Sequence, residues 1–260
     1  MPTTSTSRTS SSKTAVLHSR FVASGSRGSA HIAFTDRRGG YSASGHSSLN
    51  LARHVGDAPE AVAANRAALA SVLGLQAERL SFTEQVHGTA VHRAAAAAGP
   101  GVRADAQVST VPGLALVVMV ADCTPVVLAD PDAGVVAVAH AGRRGMADGV
   151  VPAVLAALES AGASAPVAYI GPSICSRCYE VPAALRAEVA AAEPVAAAVS
   201  HSGTPALDVA AGVAEQLARG GAAIAHWAPE CTFEDTQLFS YRRDGRTGRF
   251  AGIAWLDAAR

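Results

Sequence analysis

VADCTPVVLADPDAGVVAVAHAG, residues 120–142, holds two apolar segments joined by a turn. PVVLAD (125–130) and GVVAVAH (134–140) are rich in β-branched residues and nearly unbroken in apolar character, the pattern of strands buried on both faces. Asp130-Pro-Asp-Ala-Gly134 is turn chemistry, because Pro fixes φ, Asp bonds its own backbone and Gly tolerates positive φ. The stretch therefore predicts a hairpin. A third apolar run, LALVVMVAD (114–122), leads into it. A thiol, Cys123, follows that run, and an imidazole, His140, ends the hairpin.

Working outward, LSFTEQVHG (80–88) alternates apolar and polar residues and predicts a strand ending in His87 and Gly88. Asp57-Ala-Pro59-Glu60 predicts a helix start, with Asp57 as cap, Pro59 in the first turn and Gly74 as the stop. A helix is expected from about Gly145 to Ser160, a strand over 167–172, helices around 182–192 and 208–219, and short strands at 222–227 and 250–256. Order is expected to begin near Ala30 with the short strand of HIAFT, before a Gly/Ser-rich loop. Residues 1–29, opening with MPTTSTSRTSSSKT, read as a disordered Ser/Thr-rich tail. Strands and helices mix with no fixed repeat and no splitting linker, which predicts one α+β domain over 30–260. No GxGxxG follows a strand, so a Rossmann domain is not expected.

Composition narrows the partners. Lys+Arg and Asp+Glu both number 21, and aromatics are 5% of 260 residues. Neither a basic footprint nor a base-stacking surface is present, so nucleic acid is not expected as a partner. The apolar runs at 114–120 and 134–139 are too short to span a bilayer, and the first residues lack the apolar core of a signal peptide. These points predict a cytoplasmic protein with no membrane contact; a monomer or homodimer is expected, with nothing in the sequence choosing between them. Four cysteines, at 123, 175, 178 and 231, fit reduced thiols in a chain too long and apolar to need disulfides. Cys175 and Cys178 form a single CxxC, which alone is a weak zinc or redox signal.

His87, Cys123 and His140 all fall at expected strand ends. Two imidazoles and a thiolate make a good zinc shell, and three protein ligands leave a fourth position open, as in catalytic sites. The same residues also suit a cysteine hydrolase, with Cys123 as nucleophile, a histidine as base and Asp122 orienting it. Asp122 could equally orient a metal ligand, serve as general base or cap the strand end. Arginines stand beside glycines in DRRGG (37, 38), HAGRRG (143, 144) and SYRRDGRTGR (242, 243, 246, 249). They suit an anion such as phosphate, or a solvated surface.

Taken together, FTDRRGGYS, SSLNLARHVGD, TEQVHG, DAQVS, VADCTPVVLAD, VAHAGRRG, IGPSICSRCYEV, ECT and SYRRDGRTGR, in this order, resemble the laccase-domain family. That family is also called multicopper polyphenol oxidase or peptidoglycan editing factor. The resemblance runs from about residue 30 to the C-terminus. It implies mixed packed sheets flanked by helices and a zinc site on His87, Cys123 and His140, with copper as the other metal. It implies phosphorolysis of adenosine, inosine, guanosine and methylthioadenosine, together with adenosine deamination, so purine nucleosides and phosphate are the expected partners. Copper-dependent phenol oxidation and editing of peptidoglycan precursors are the alternatives it brings. By motif match, Asp122, Cys123 and Gln85 are the expected catalytic residues. Arg37, Ser42, Asn50 and Arg144 are the expected substrate contacts. Two departures stand out. Arg143 replaces the family's usual Trp in HAGWRG, and Cys175 replaces a common Gly, which makes the CxxC look incidental.

Overall fold

The expected hairpin forms the centre of a six-stranded sheet in the computed structural model, which describes residues 16–257. In chain order the first elements are β1 (Leu17–Gly25), β2 (Gly28–Thr35), α1 (Pro59–Leu73), β3 (Leu80–Phe82), β4 (Val91–Arg93), β5 (Ala106–Ser109) and β6 (Ala115–Val120). The hairpin follows as β7 (Thr124–Asp130) and β8 (Val135–Ala141), then α2 (Arg143–Asp148), α3 (Val150–Ser160) and β9 (Val167–Ile170). The remainder is α4 (Ala183–Ala192), β10 (Ala197–Val199), β11 (Pro205–Leu207), α5 (Val209–Arg219), β12 (Ala223–Trp227), α6 (Tyr241–Asp244) and β13 (Phe250–Leu256).

Strands β1-β2-β13-β6-β3 form a five-stranded sheet and β12-β9-β7-β8-β5-β4 a six-stranded one, both of mixed direction, while β10 and β11 pair as a small antiparallel sheet of their own. The two larger sheets bury a shared layer that includes Ile32, Phe34, Leu116, Val118, Val127 and Val138. Phe34 is fully buried in it, and a methyl on Gly171 would collide with its ring and with Pro125. Truncating such a core ring to Ala typically costs about 3–5 kcal/mol. The outer face of the five-stranded sheet carries Leu69 and Leu73 of α1, and that of the six-stranded sheet carries α3 and α5 through Val154, Leu158, Val213 and Leu217. The fold is thus α+β in four layers, helix–sheet–sheet–helix. Both faces of β6, β7 and β8 are covered, which is why those runs are apolar throughout.

Four expectations are corrected. Order does not begin near Ala30, because β1 already pairs with β2 from Leu17. The expected tail at 1–29 therefore holds a strand from Leu17, while residues 1–15 lie outside the described residues. The strand expected over 80–88 ends at Phe82. The helix expected over 145–160 is two helices, broken at Gly149, which adopts φ 95°. Asp57 does not cap α1, whose N-cap is Ala58; its carboxylate accepts instead from Ser42 and Asn50.

Candidate metal and active site

The antiparallel register of β7 and β8 sets the site. Pro125 pairs with His140 and Thr124 with Ala141, so Cys123 and Gly142 meet at the same end of the hairpin. β5 lies on the other side of β8, and His140 N–H donates to the Asp105 carbonyl at 2.7 Å. The buried Asp105 carboxylate then organises everything around it. Its Oδ1 lies 2.8 Å from His140 Nδ1 and accepts from the His87 amide at 2.9 Å. Its Oδ2 accepts from the amides of Val86 (3.1 Å) and Gly88 (2.8 Å). These bonds hold residues 86–88 in an irregular turn in which His87 takes φ 59°. Asp105 thus fixes His140 through Nδ1, leaving Nε2 for a ligand role, and aims the His87 loop from the other side.

His87, Cys123 and His140 each offer one donor atom, and the three lie within 4.8 Å of one another. Cys123 Sγ is 3.8 Å from His87 Nε2, and the two imidazole rings meet edge to face at 4.7 Å. A side chain on Gly142 would stand 2.7 Å from His87 Cδ2 and 3.1 Å from Cys123 Sγ, so the glycine keeps this space clear. Two borderline nitrogens, one soft sulfur and a carboxylate behind one imidazole fit zinc. Without metal the cluster is an ion pair. Burial alone would raise the Cys123 thiol, but the charge and hydrogen bond of His140, and then those of His87, bring it down to about 6. Burial opposes charge on His140, yet the thiolate and Asp105 raise it to about 9. Burial likewise opposes charge on Asp105, and the hydrogen bonds from His140, Gly88 and Val86 hold it below its ordinary value.

The cluster opens on a cavity of about 580 Å³. Four arginines line it: Arg143 and Arg144 from α2, Arg242 from α6, and Arg249 just before β13. Tyr179 and Tyr241 line it as well, with the Arg242 guanidinium 4.9 Å from the Tyr179 ring centroid. Arg143, the departure from the usual Trp, faces this cavity.

Of the expected site residues, Gln85, Asp122 and Arg144 line the cavity with the three metal donors. Gln85 exchanges two hydrogen bonds of 2.8 Å with the backbone of Met119, splinting the His87 loop to β6. Asp122 takes φ 91°; its Oδ1 accepts from Thr232 Oγ1 and its Oδ2 from the Arg242 amide, both at 2.6 Å. Its carboxylate therefore fastens the cavity wall. Arg37, Ser42 and Asn50 do not line the cavity. Arg37 donates to the Ser47 carbonyl at 2.7 Å and stacks over Phe239. Ser42 and Asn50 share Asp57 as acceptor. Asn50 does reach the site indirectly, because its Oδ1 accepts from the backbone N–H of Arg249 at 3.0 Å. Asp105 had no place among the expected residues. Its sequence signal is its place at the head of DAQVS, one of the motifs that carry the family resemblance, with no role attached to it.

Residues 31–257 match the family described as multi-copper polyphenol oxidoreductase laccase. A protein of Streptomyces coelicolor named purine nucleoside phosphorylase is 53% identical over 232 residues, covering 88% of this chain and 96% of the relative. One of the same name from Corynebacterium glutamicum is 46% identical, covering 86% and 93%. Among solved structures, a Neisseria meningitidis protein superposes with a TM-score of 0.80 at 36% identity, covering 90% of this chain and 96% of that one. YlmD from Geobacillus stearothermophilus gives 0.80 at 30%, covering 88% and 92%. With the matched span running from β2 to the end of β13, the chain belongs to the multi-copper polyphenol oxidoreductase laccase family.

Proposed function

We propose that this chain is a zinc-dependent purine nucleoside phosphorylase that also deaminates adenosine, with adenosine, inosine, guanosine and methylthioadenosine as substrates. The observation that carries the reading is the three-donor cluster opening on an arginine-lined cavity. The names of the relatives support the substrate class. A zinc ion on His87, Cys123 and His140 would supply a Lewis acid at its free position, which is what hydrolytic deamination at C6 of adenine requires.

Phosphorolysis asks for something else: a phosphate oxygen must reach ribose C1′ as the base departs. The guanidinium groups of Arg143, Arg144, Arg242 and Arg249 supply planar paired donors for that phosphate. Tyr179 and Tyr241 offer faces on which a purine can stack. Asp122 and Gln85 hold the wall and the His87 loop in place while this happens. The expected compartment is the cytoplasm, where thiols stay reduced.

The test incubates purified, zinc-loaded protein with adenosine, with and without phosphate, and follows adenine, hypoxanthine, inosine and ribose 1-phosphate. Ribose 1-phosphate that appears only with phosphate supports phosphorolysis, and inosine without phosphate supports deamination. A loaded protein that forms neither overturns the proposal. The thiolate–imidazolium pair favours a second reading, a cysteine hydrolase in the metal-free state. Active protein purified with zinc on Cys123, resisting alkylation until a chelator is added and losing its turnover with the metal, would set that reading aside.

A further inference from the structure

The CxxC that looked incidental in the sequence does not stand alone. Cys175 and Cys178 face Cys231 and Glu234, and one donor atom from each lies within 4.8 Å of all the others. The second pair has the same spacing as the first: CSRC at 175–178 and CTFE at 231–234. The two segments also fold alike. In the first, the N–H groups of Cys178 and Tyr179 both donate to the Cys175 carbonyl. In the second, those of Glu234 and Asp235 both donate to the Cys231 carbonyl. The turns are joined by a bridge between Ser173 and Cys231, and the Cys175 amide donates to Cys231 Sγ at 3.2 Å. Amide-to-sulfur bonding within paired turns is the arrangement that steadies a thiolate for a metal.

We propose that Cys175, Cys178, Cys231 and Glu234 form a second metal site, a closed tetrahedral zinc centre with a structural role. Two ligands at i and i+3 from each of two turns is the ligand spacing of structural zinc sites. Three thiolates and one carboxylate fill four positions and leave none for substrate, unlike the His87–Cys123–His140 set. Zinc suits so sulfur-rich a set better than calcium or magnesium, which prefer oxygen. A disulfide would use two of the three thiols and leave the third and Glu234 without a role. Loading converts three thiols to thiolates and releases their protons, with no change in oxidation state. His201 Nε2 stands 3.4 Å from Glu234 Oε1 and would orient this ligand from behind.

The placement says what the centre is for. The first turn runs directly into Tyr179, and the segment also carries Ile174; both line the catalytic cavity. The second carries Thr232, whose hydroxyl holds Asp122 Oδ1. Among the described residues these two segments form no helix or long strand, so an ion between them pins a wall that hydrogen bonds alone hold.

The deciding experiment is the zinc content of the full-length protein, purified under reducing conditions, by elemental analysis and native mass spectrometry. Wild type should carry two zinc ions per chain. Cys123→Ala, which leaves both turns intact, should keep one, and Cys178→Ser combined with C123A should keep none. Cobalt-loaded C123A should show strong thiolate-to-cobalt charge-transfer absorption in the near ultraviolet. Should the double variant fail to fold, C123A alone still decides. One zinc in wild type with none in C123A overturns the proposal, as does a Cys175–Cys178 disulfide that persists in reductant.

Discussion

Two polar clusters near the cavity each centre on an aspartate's hydrogen bonds and behave differently. In one, Ser42, Asn50, Asp57 and Asn65 bond to each other and to nearby backbone. Asn65 Nδ2 donates to Ser42 Oγ and the Asn50 carbonyl, both at 2.8 Å, while its Oδ1 accepts from the Tyr41 amide at 2.7 Å. Asn50 and Ser42 both donate to Asp57. In the other, Asp105 alone is saturated, and it aims His140 and the His87 loop so that three donors stay open. The first cluster is closed and braces a loop; the second is closed behind and open in front. What separates scaffold from chemistry here is where the hydrogen bonds go, not which residues a motif contains.

The sharpest way to break this comparison is Cys123→Ala. It should remove the metal of the open cluster and lower turnover by at least about a thousandfold, as loss of a catalytic metal does. Next comes the charge of Cys123. In metal-free protein its alkylation by iodoacetamide should rise with pH around a midpoint near 6 instead of near the ordinary 9. Thiolate and imidazolium should then coexist up to about pH 9, where His140 loses its proton. The stability owed to the low Cys123 pKa is fully present only above its unfolded value and is lost as pH falls through about 6. That owed to His140 is fully present below its unfolded value and is lost as pH rises through about 9. An alkylation midpoint near 9 would show that no such pair exists.

Asp105→Asn keeps the shape but removes the charge behind His140. It should weaken zinc binding about 10–100-fold, the usual cost of losing a ligand's supporting carboxylate; unchanged affinity in a chelator competition would contradict the role given to Asp105. The smallest effect belongs to the closed cluster. Asn65→Ala should cost about 1–3 kcal/mol of stability by orphaning buried partners, read in urea, with zinc content intact. Loss of zinc in that variant would erase the distinction between the two clusters.

The hairpin was legible because its signals are local: turn residues at 130–134 and apolar runs covered on both faces. The donors His87, Cys123 and His140 were legible as a set mainly through family resemblance, since their long spacings left a cysteine hydrolase equally open. Asp105 was not, because its importance depends on amides 17–19 positions away and on an imidazole 35 away. It also explains the short β3: residues 86–88 give their N–H groups to a carboxylate, not to a strand partner. β1 was missed because an edge strand with one half-exposed face, LHSRFVASG, lacks a clear apolar run. Cys231 and Glu234 stand more than fifty residues from the CxxC, beyond the reach of any local spacing rule.

The position of β13 has a consequence for biosynthesis. Among the described residues it is the last strand, yet it lies between β2 and β6 in the middle of its sheet. A nascent chain that has made everything before Phe250 carries two unpaired apolar edges where the finished molecule has none. Such edges invite pairing with other chains. The hairpin and its metal donors can assemble early, whereas Arg249 reaches the cavity only when the final strand docks. Nonsense or frameshift alleles upstream of Phe250 should therefore yield sticky, degradation-prone products and not partial enzymes.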